Sequence, residues 1–240
     1  KNFNNKFWLG ASAENAETLN PAGSGLPTNL LIGSAGVAGG LFNVNNNYSF
    51  NLAPDMVAKA VFEPGLGHYE VFGIARFFRD RIYPVGGTPY NDSRVGGGIG
   101  GSARAAVLQK KLTLGLKGLY GDGVGRYGDS QIADVTLRPD ATIAPLHGFS
   151  ALGTVEFNLN ARLNLWANYG GDYVYRDYKG SEGFGSPLVN MSGCHVEPTP
   201  TASFTPATPA NCGANNKDVQ ELSVGYWFNF YAGPKGRLRQ

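Results

Sequence analysis

Charge is scarce in this sequence. Only 16% of its 240 residues are Asp, Glu, Lys or Arg, and 20 basic against 18 acidic side chains leave a net charge of +2. That balance offers no polybasic footprint, so nucleic acid is not an expected partner. Long apolar runs are missing as well. The most apolar stretch, Leu30 to Phe42, is broken by Gly33, Gly36, Gly39 and Gly40 and falls short of the ~20 residues a membrane helix needs. Cysteine is reduced to Cys194 and Cys212. Two cysteines in one Pro/Thr-rich segment do not make a zinc site, but they suit a disulfide, which implies an oxidising compartment. No metal or cofactor is expected. Lys1 opens directly onto polar sequence and not onto a signal peptide, so the chain is read as processed or as a piece of something longer.

Glycine is abundant instead, with 35 residues, and aromatics reach 12%. Glycine costs roughly 1 kcal/mol relative to alanine inside a helix, and this many aromatic residues exclude a disordered polar chain. A mean hydropathy of −0.20 fits a soluble protein, but equally a membrane β-barrel, whose strands alternate polar and apolar residues.

Period-two alternation predicts eight strands and no helix. They run over Lys6–Ala16, Asp55–Glu63, His68–Tyr83, Val95–Leu108, Lys111–Tyr120, Gly148–Asn158, Ala161–Tyr178 and Asp218–Tyr231. The eighth is the clearest: Leu222, Val224, Tyr226, Phe228 and Phe230 oppose Glu221, Ser223, Gly225, Trp227 and Asn229. The connections alternate strictly between short and long. Tight turns fall at Pro64–Gly67, Gln109–Lys110, Leu159–Asn160 and Gly233–Gly236, and long connections near 17–54, 84–94, 121–147 and 179–217. Short turns at one end and long loops at the other are the mark of an outer-membrane barrel, with the loops extracellular.

The phrases Ala53-Pro54-Asp55-Met56-Val57-Ala58-Lys59-Ala60, His68-Tyr69-Glu70-Val71-Phe72-Gly73 and Gly225-Tyr226-Trp227-Phe228-Asn229-Phe230-Tyr231 resemble the porin-like outer-membrane barrels of Gram-negative bacteria. The resemblance covers most strands and few loop residues, and it lies in strand texture. It implies an all-β, transmembrane, antiparallel up-and-down β-barrel in the bacterial outer membrane, in contact with its lipid. Such barrels end in a strand closing on Phe or Tyr, whereas this chain stops at Arg237-Leu238-Arg239-Gln240. The expectation is therefore one domain over residues 1–240, incomplete at both ends, with more strands in the full protein.

Several motifs have a plain reading. Gly96, Gly98 and Gly101 satisfy G-x-G-x-x-G, but the alternating residues that follow continue a strand and open no helix. Gly121 to Asp129 holds one copy of a glycine–aspartate pattern that binds Ca²⁺ only in stacked repeats, so it reads as a solvated loop. His68, His147 and His195 are scattered, and no catalytic group is expected; an outer-membrane hydrolase is a third reading. Tyr69, Phe149, Tyr169, Tyr173, Phe228 and Phe230 lie on apolar sets near strand ends, where a bilayer interface favours them. Trp8, Trp166 and Trp227 fall on the polar set, where stacking on a sugar is open to them. Leu30-Leu31-Ile32 and Leu41-Phe42 are too apolar for a free loop. They are expected to fold into the lumen or to pack against a neighbouring subunit of a homo-oligomer such as a trimer.

The polar sets carry segregated charge. Lys59, Arg76, Arg104 and Lys117 lie on the second to fifth strands, and Glu156, Asp172 and Glu221 on the sixth to eighth. Facing a water-filled lumen, they would line a pore for small hydrophilic solutes with a weak anion preference. In a narrow barrel the same residues would instead pair across a filled interior. The alternative function is then a non-conducting barrel with a structural or loop-binding role.

Overall fold

A computed structural model of the chain describes residues 1–4, 6–19, 30–31, 51–130, 132–197, 199, 211–234 and 236–240. Its strands are β1 (Asn2–Phe3), β2 (Phe7–Glu14), β3 (Leu30–Leu31), β4 (Asp55–Phe62), β5 (Gly67–Ile82), β6 (Tyr90–Val107), β7 (Leu112–Asp122), β8 (Val135–Leu137), β9 (Ile143–Pro145), β10 (His147–Asn158), β11 (Leu163–Val174), β12 (Asp177–Lys179), β13 (Glu182–Phe184), β14 (Asp218–Gly233) and β15 (Gly236–Arg239). The eight strands expected from alternation are β2, β4, β5, β6, β7, β10, β11 and β14. β6 starts at Tyr90, five residues earlier than alternation alone indicates. Tyr90 pairs with Ile82 and Asp92 with Asp80, in a stretch polar on both sides that carries no period-two signal.

Ten strands hydrogen-bond in the order β1-β2-β4-β5-β6-β7-β10-β11-β14-β15, each antiparallel to the next. The sheet is all antiparallel and up-and-down, but it is not closed into a barrel. β1 and β15 are only two and four residues long and cover just the ends of β2 and β14. Among the described residues, Gly10–Glu14 of β2 and Asp218–Trp227 of β14 have no strand on their outer sides.

In such a meander successive connections alternate between the two ends, so all the tight turns share one end and the long connections the other. The turns are locally determined. Gly65 sits at φ +95°, a backbone conformation open to glycine. Asn160 Oδ1 accepts from the amides of Arg162 and Leu163 at 2.8 and 3.0 Å, an Asx turn that starts β11. At the other end Cys194 and Cys212 form the expected disulfide, with their Cα atoms 4.6 Å apart. Leu30 and Leu31 pair with Ile82 and Arg81 of β5. Ile32, Leu41 and Phe42 lie outside the described residues.

Candidate functional site

Register carries the sequence pattern across the whole sheet. Phe7, Phe62, Tyr69, Ala103, Leu116, Gly153, Tyr169 and Leu222 form one continuous row. The next row, on the opposite face, is Trp8, Val61, Glu70, Ser102, Lys117, Leu152, Gly170 and Glu221. A one-residue slip anywhere would exchange the faces, and none occurs over eight strands.

On the first face, no Lys, Arg, Asp or Glu occupies the alternate positions of Met56–Phe62, Tyr69–Phe77, Val95–Val107, Leu112–Tyr120, Phe149–Phe157, Leu163–Tyr173 or Leu222–Phe230. Its side chains are exposed: Leu116 at 66%, Leu222 at 69% and Val224 at 70%. Soluble monomers rarely leave apolar surface of this extent uncovered. Aromatic rings gather at its loop-side border. His147 meets Tyr120 edge-on at 4.6 Å and Tyr175 at 5.3 Å, and Phe149 stacks on Tyr173 at 5.5 Å.

The second face is polar, and its loop end is filled. Residues 123–130 and 132–146, expected to lie in a long extracellular connection whose start, Gly121–Asp129, reads as a solvated loop, fold back onto it. The physical reason is their own apolar content. Val135, Leu137 and Ile143 enclose Phe78, while Ile132 and Leu146 pack with Val174 and Phe184, and Val124 with Ile74 and Leu119. Under this cover lies Arg76, fully buried. Its Nε donates to Asp55 Oδ2 at 3.0 Å, Nη1 to the Gly123 carbonyl and to Asp134 Oδ1, both at 2.5 Å, and Nη2 to the Glu17 carbonyl at 2.6 Å. The rings of Phe78 and Tyr127 lie 5.0 and 5.5 Å from the guanidinium carbon. Asp134 also accepts from the amides of Leu19 and Arg126, at 2.8 Å each. One cation thus ties β4, β5 and two long connections together. Burial pushes the Asp134 carboxyl up to about 6, against the pull of Arg76. Above the apolar band, burial and the facing Asp92 carboxylate push Asp80 up to about 7.

The other residues expected along a lumen are placed as follows. Lys59 bonds Glu70 at 2.9 Å, Arg104 bonds Glu156 at 3.0 Å, and Lys117 bonds Asp129 at 3.0 Å. Asp172 is buried and accepts from the amides of Ser130 and Asp129, at 2.5 and 3.2 Å, pinning the folded-back connection to β11. Glu221 is exposed and accepts from Ser223 Oγ at 2.6 Å. Only Arg104 and Glu156 of the seven are joined to each other. They bridge the basic and acidic strands across β7, so the two signs are not held apart as opposed walls. His147 is held by Asp122 and Tyr120, and His68 by Glu63. Among the described residues, no group of three or more His, Cys, Asp or Glu is placed to hold a metal ion.

Asp55, Asp134, Tyr127 and Asp129 are missing from the sequence-derived site. Three of them sit in a connection that has no period to read. A signal for Arg76 did exist: it shares its alternate set with Phe72, Ile74, Phe78 and Ile82, the company of a buried side chain. No protein family, curated protein or solved structure was found to match the chain.

Proposed function

We propose that this chain is the wall of an outer-membrane β-barrel through which small hydrophilic solutes diffuse. Residues 123–146 narrow the path at its loop end. The observation that carries the reading is the exposed, charge-free apolar face running across eight strands, opposite a polar face. Seven to thirteen residues per strand bound that band, around the ~9–11 that a tilted strand needs to cross a bilayer. The aromatic cluster at its border supports an interfacial position. On the polar face, Lys59 and Arg104 reach solvent, with side chains 50% and 60% exposed. Each has a carboxylate partner, so the selectivity this arrangement supports is weak. The partners are bilayer lipid and the solutes, and the reading includes no catalytic step.

Conductance in planar bilayers tests the proposal. The purified protein should insert and give discrete ionic current steps. Spin labels at Leu114 and Leu116 should meet lipid-soluble quenchers, and labels at Gly115 and Lys117 water-soluble ones. The reverse pattern would remove the membrane reading. Insertion with the expected labelling but without current would favour the second reading, a non-conducting barrel. The Arg76 network is the observation on its side.

A further inference from the structure

We propose that the polar face carries a binding groove for a neutral saccharide at its tight-turn end, with Trp166 as the stacking platform. The groove has a volume of about 510 Å³ and lies over β10, β11, β14 and β15. Its floor is laid out by register. Asn158, Asn164 and Trp227 form one row, Glu156, Trp166 and Gly225 the next, and Thr154, Asn168 and Ser223 the third. Two indoles therefore sit on a diagonal among four primary amides, those of Asn158, Asn164, Asn168 and Asn229.

Gly225 determines how Trp166 lies. A Cβ at that position would stand 2.7 Å from the indole Cε2 and collide with Cζ2, so the ring packs across the glycine backbone, and Trp166 lines the groove. Trp227 is stacked differently, with the Arg239 guanidinium 4.4 Å from its ring. Glu156 is engaged by Arg104. The Glu156 carboxylate is thus already matched and the Arg239 cation lies over an indole, while the rest of the lining is uncharged, which favours a neutral ligand. Asn164 donates to Asn158 at 2.9 Å, and Asn229 donates to the Ala161 carbonyl at 3.3 Å. The buried Nε1 of Trp166 and Oδ1 of Asn229 have no hydrogen-bond partner among the described residues.

A ligand that fits must present a flat apolar face to an indole and, at its edge, groups that both donate and accept. Primary amides do both, and so do vicinal hydroxyls on a pyranose ring, whose C–H face suits an aromatic surface. An aromatic ring beside a few convergent polar groups is the usual composition of a small-ligand site. Simple ions lack the apolar face, and acyclic polyols lack the ring.

This inference names the solute class for the path proposed above and rests on that reading for the ligand's route. Binding in detergent micelles is measured without current, so the two can fail separately. Glucose, maltotriose and cellotriose, titrated to the millimolar range, should change tryptophan fluorescence saturably, and glycerol should not. Trp166→Ala and Gly225→Val should each weaken binding at least tenfold, while Trp8→Phe, which does not line the groove and lies five strands from β10 in the sheet order, should leave it unchanged. Equilibrium dialysis of labelled maltotriose against the unmodified protein gives a readout independent of whether the variants fold. No saturable binding to any of the three sugars overturns the proposal. So does a response to glycerol of equal strength, or full binding by a folded Gly225→Val variant. Binding without conductance would leave the groove standing and remove the channel.

Discussion

Arg76 and Arg104 face the same side of the same sheet, on neighbouring strands, and live in opposite environments. At the loop end, Arg76 has no exposed side chain and two buried carboxylates against it. At the tight-turn end, Arg104 and its single partner Glu156 are 60% and 39% exposed. The difference teaches that the polar face is two regions in series, a sealed section and a wet one. What separates them is the apolar side chains of residues 123–146. The same ion-pair chemistry is structural under that cover and modulates the electrostatic field outside it.

Breaking the sealed section should have the largest effect. Arg76→Leu strands Asp55 and Asp134 without their cation, and removing one partner of a buried pair costs about 3–5 kcal/mol. Urea unfolding in detergent, followed by tryptophan fluorescence, should show that loss. Adding Asp55→Asn and Asp134→Asn to the same chain should recover much of it. A loss below about 1 kcal/mol for Arg76→Leu would mean that the network does not hold the cover in place.

The next effect lies in the outermost connection. Opening Cys194–Cys212 releases a loop whose ends are 18 residues apart, worth roughly 3 kcal/mol of loop ordering. Reduction should speed protease cleavage between the two cysteines and leave the sheet intact. Equal cleavage rates before and after reduction would show that the disulfide orders nothing.

A pH titration sharpens the comparison. Asp80 and Asp134 have folded values raised to about 7 and about 6, above those of an unfolded carboxyl. The folded state therefore holds protons that the unfolded state has released. The contribution of both groups is most favourable in acid, falls as pH rises from about 4, and is fully lost above about 7. Asp80→Asn should flatten the upper part of that fall and stabilise the protein at pH 8. If its stability profile superimposes on the parent's, Asp80 does not titrate in this way.

The smallest effect on stability belongs to the wet section. Arg104→Gln or Glu156→Gln should cost no more than about 1 kcal/mol, because exposed pairs are worth little. Reversal potentials in a salt gradient should nevertheless separate the two variants. Arg104→Gln moves the potential toward cations and Glu156→Gln toward anions, each more at low salt. Identical potentials would place the pair off the conducting path.

The sheet was legible and its cover was not, for a physical reason. Leu222, Val224, Tyr226 and Phe228 betray β14 because a strand with one apolar and one polar face repeats every two residues. β8, β9, β12 and β13 are three residues each, too short for any period to register. Residues 121–129 read as a solvated turn because Gly and Asp dominate them. The apolar residues that draw them inward, Val124 and Ile132 to Leu146, are spread around and beyond that segment. The placement of Lys59, Arg104 and Lys117 on the polar face followed from alternation. Their partners did not, since Asp129 arrives from a connection and Glu156 from two strands away.

On the membrane reading proposed above, the two unpaired edges carry a consequence for insertion. Along Asp218–Trp227 and Gly10–Glu14 the outward amides and carbonyls have no strand partner among the described residues, and in hydrocarbon each unmet group costs roughly several kcal/mol. Water tolerates such a margin and oil does not. Entry into lipid is then thermodynamically inseparable from mating those edges, with each other or with a further strand. Every intermediate that runs ahead of the mating is driven back to the aqueous side, where a bare strand margin recruits the nearest backbone it meets. Insertion should accordingly be all-or-none and steeply dependent on whatever escorts the margins until they meet.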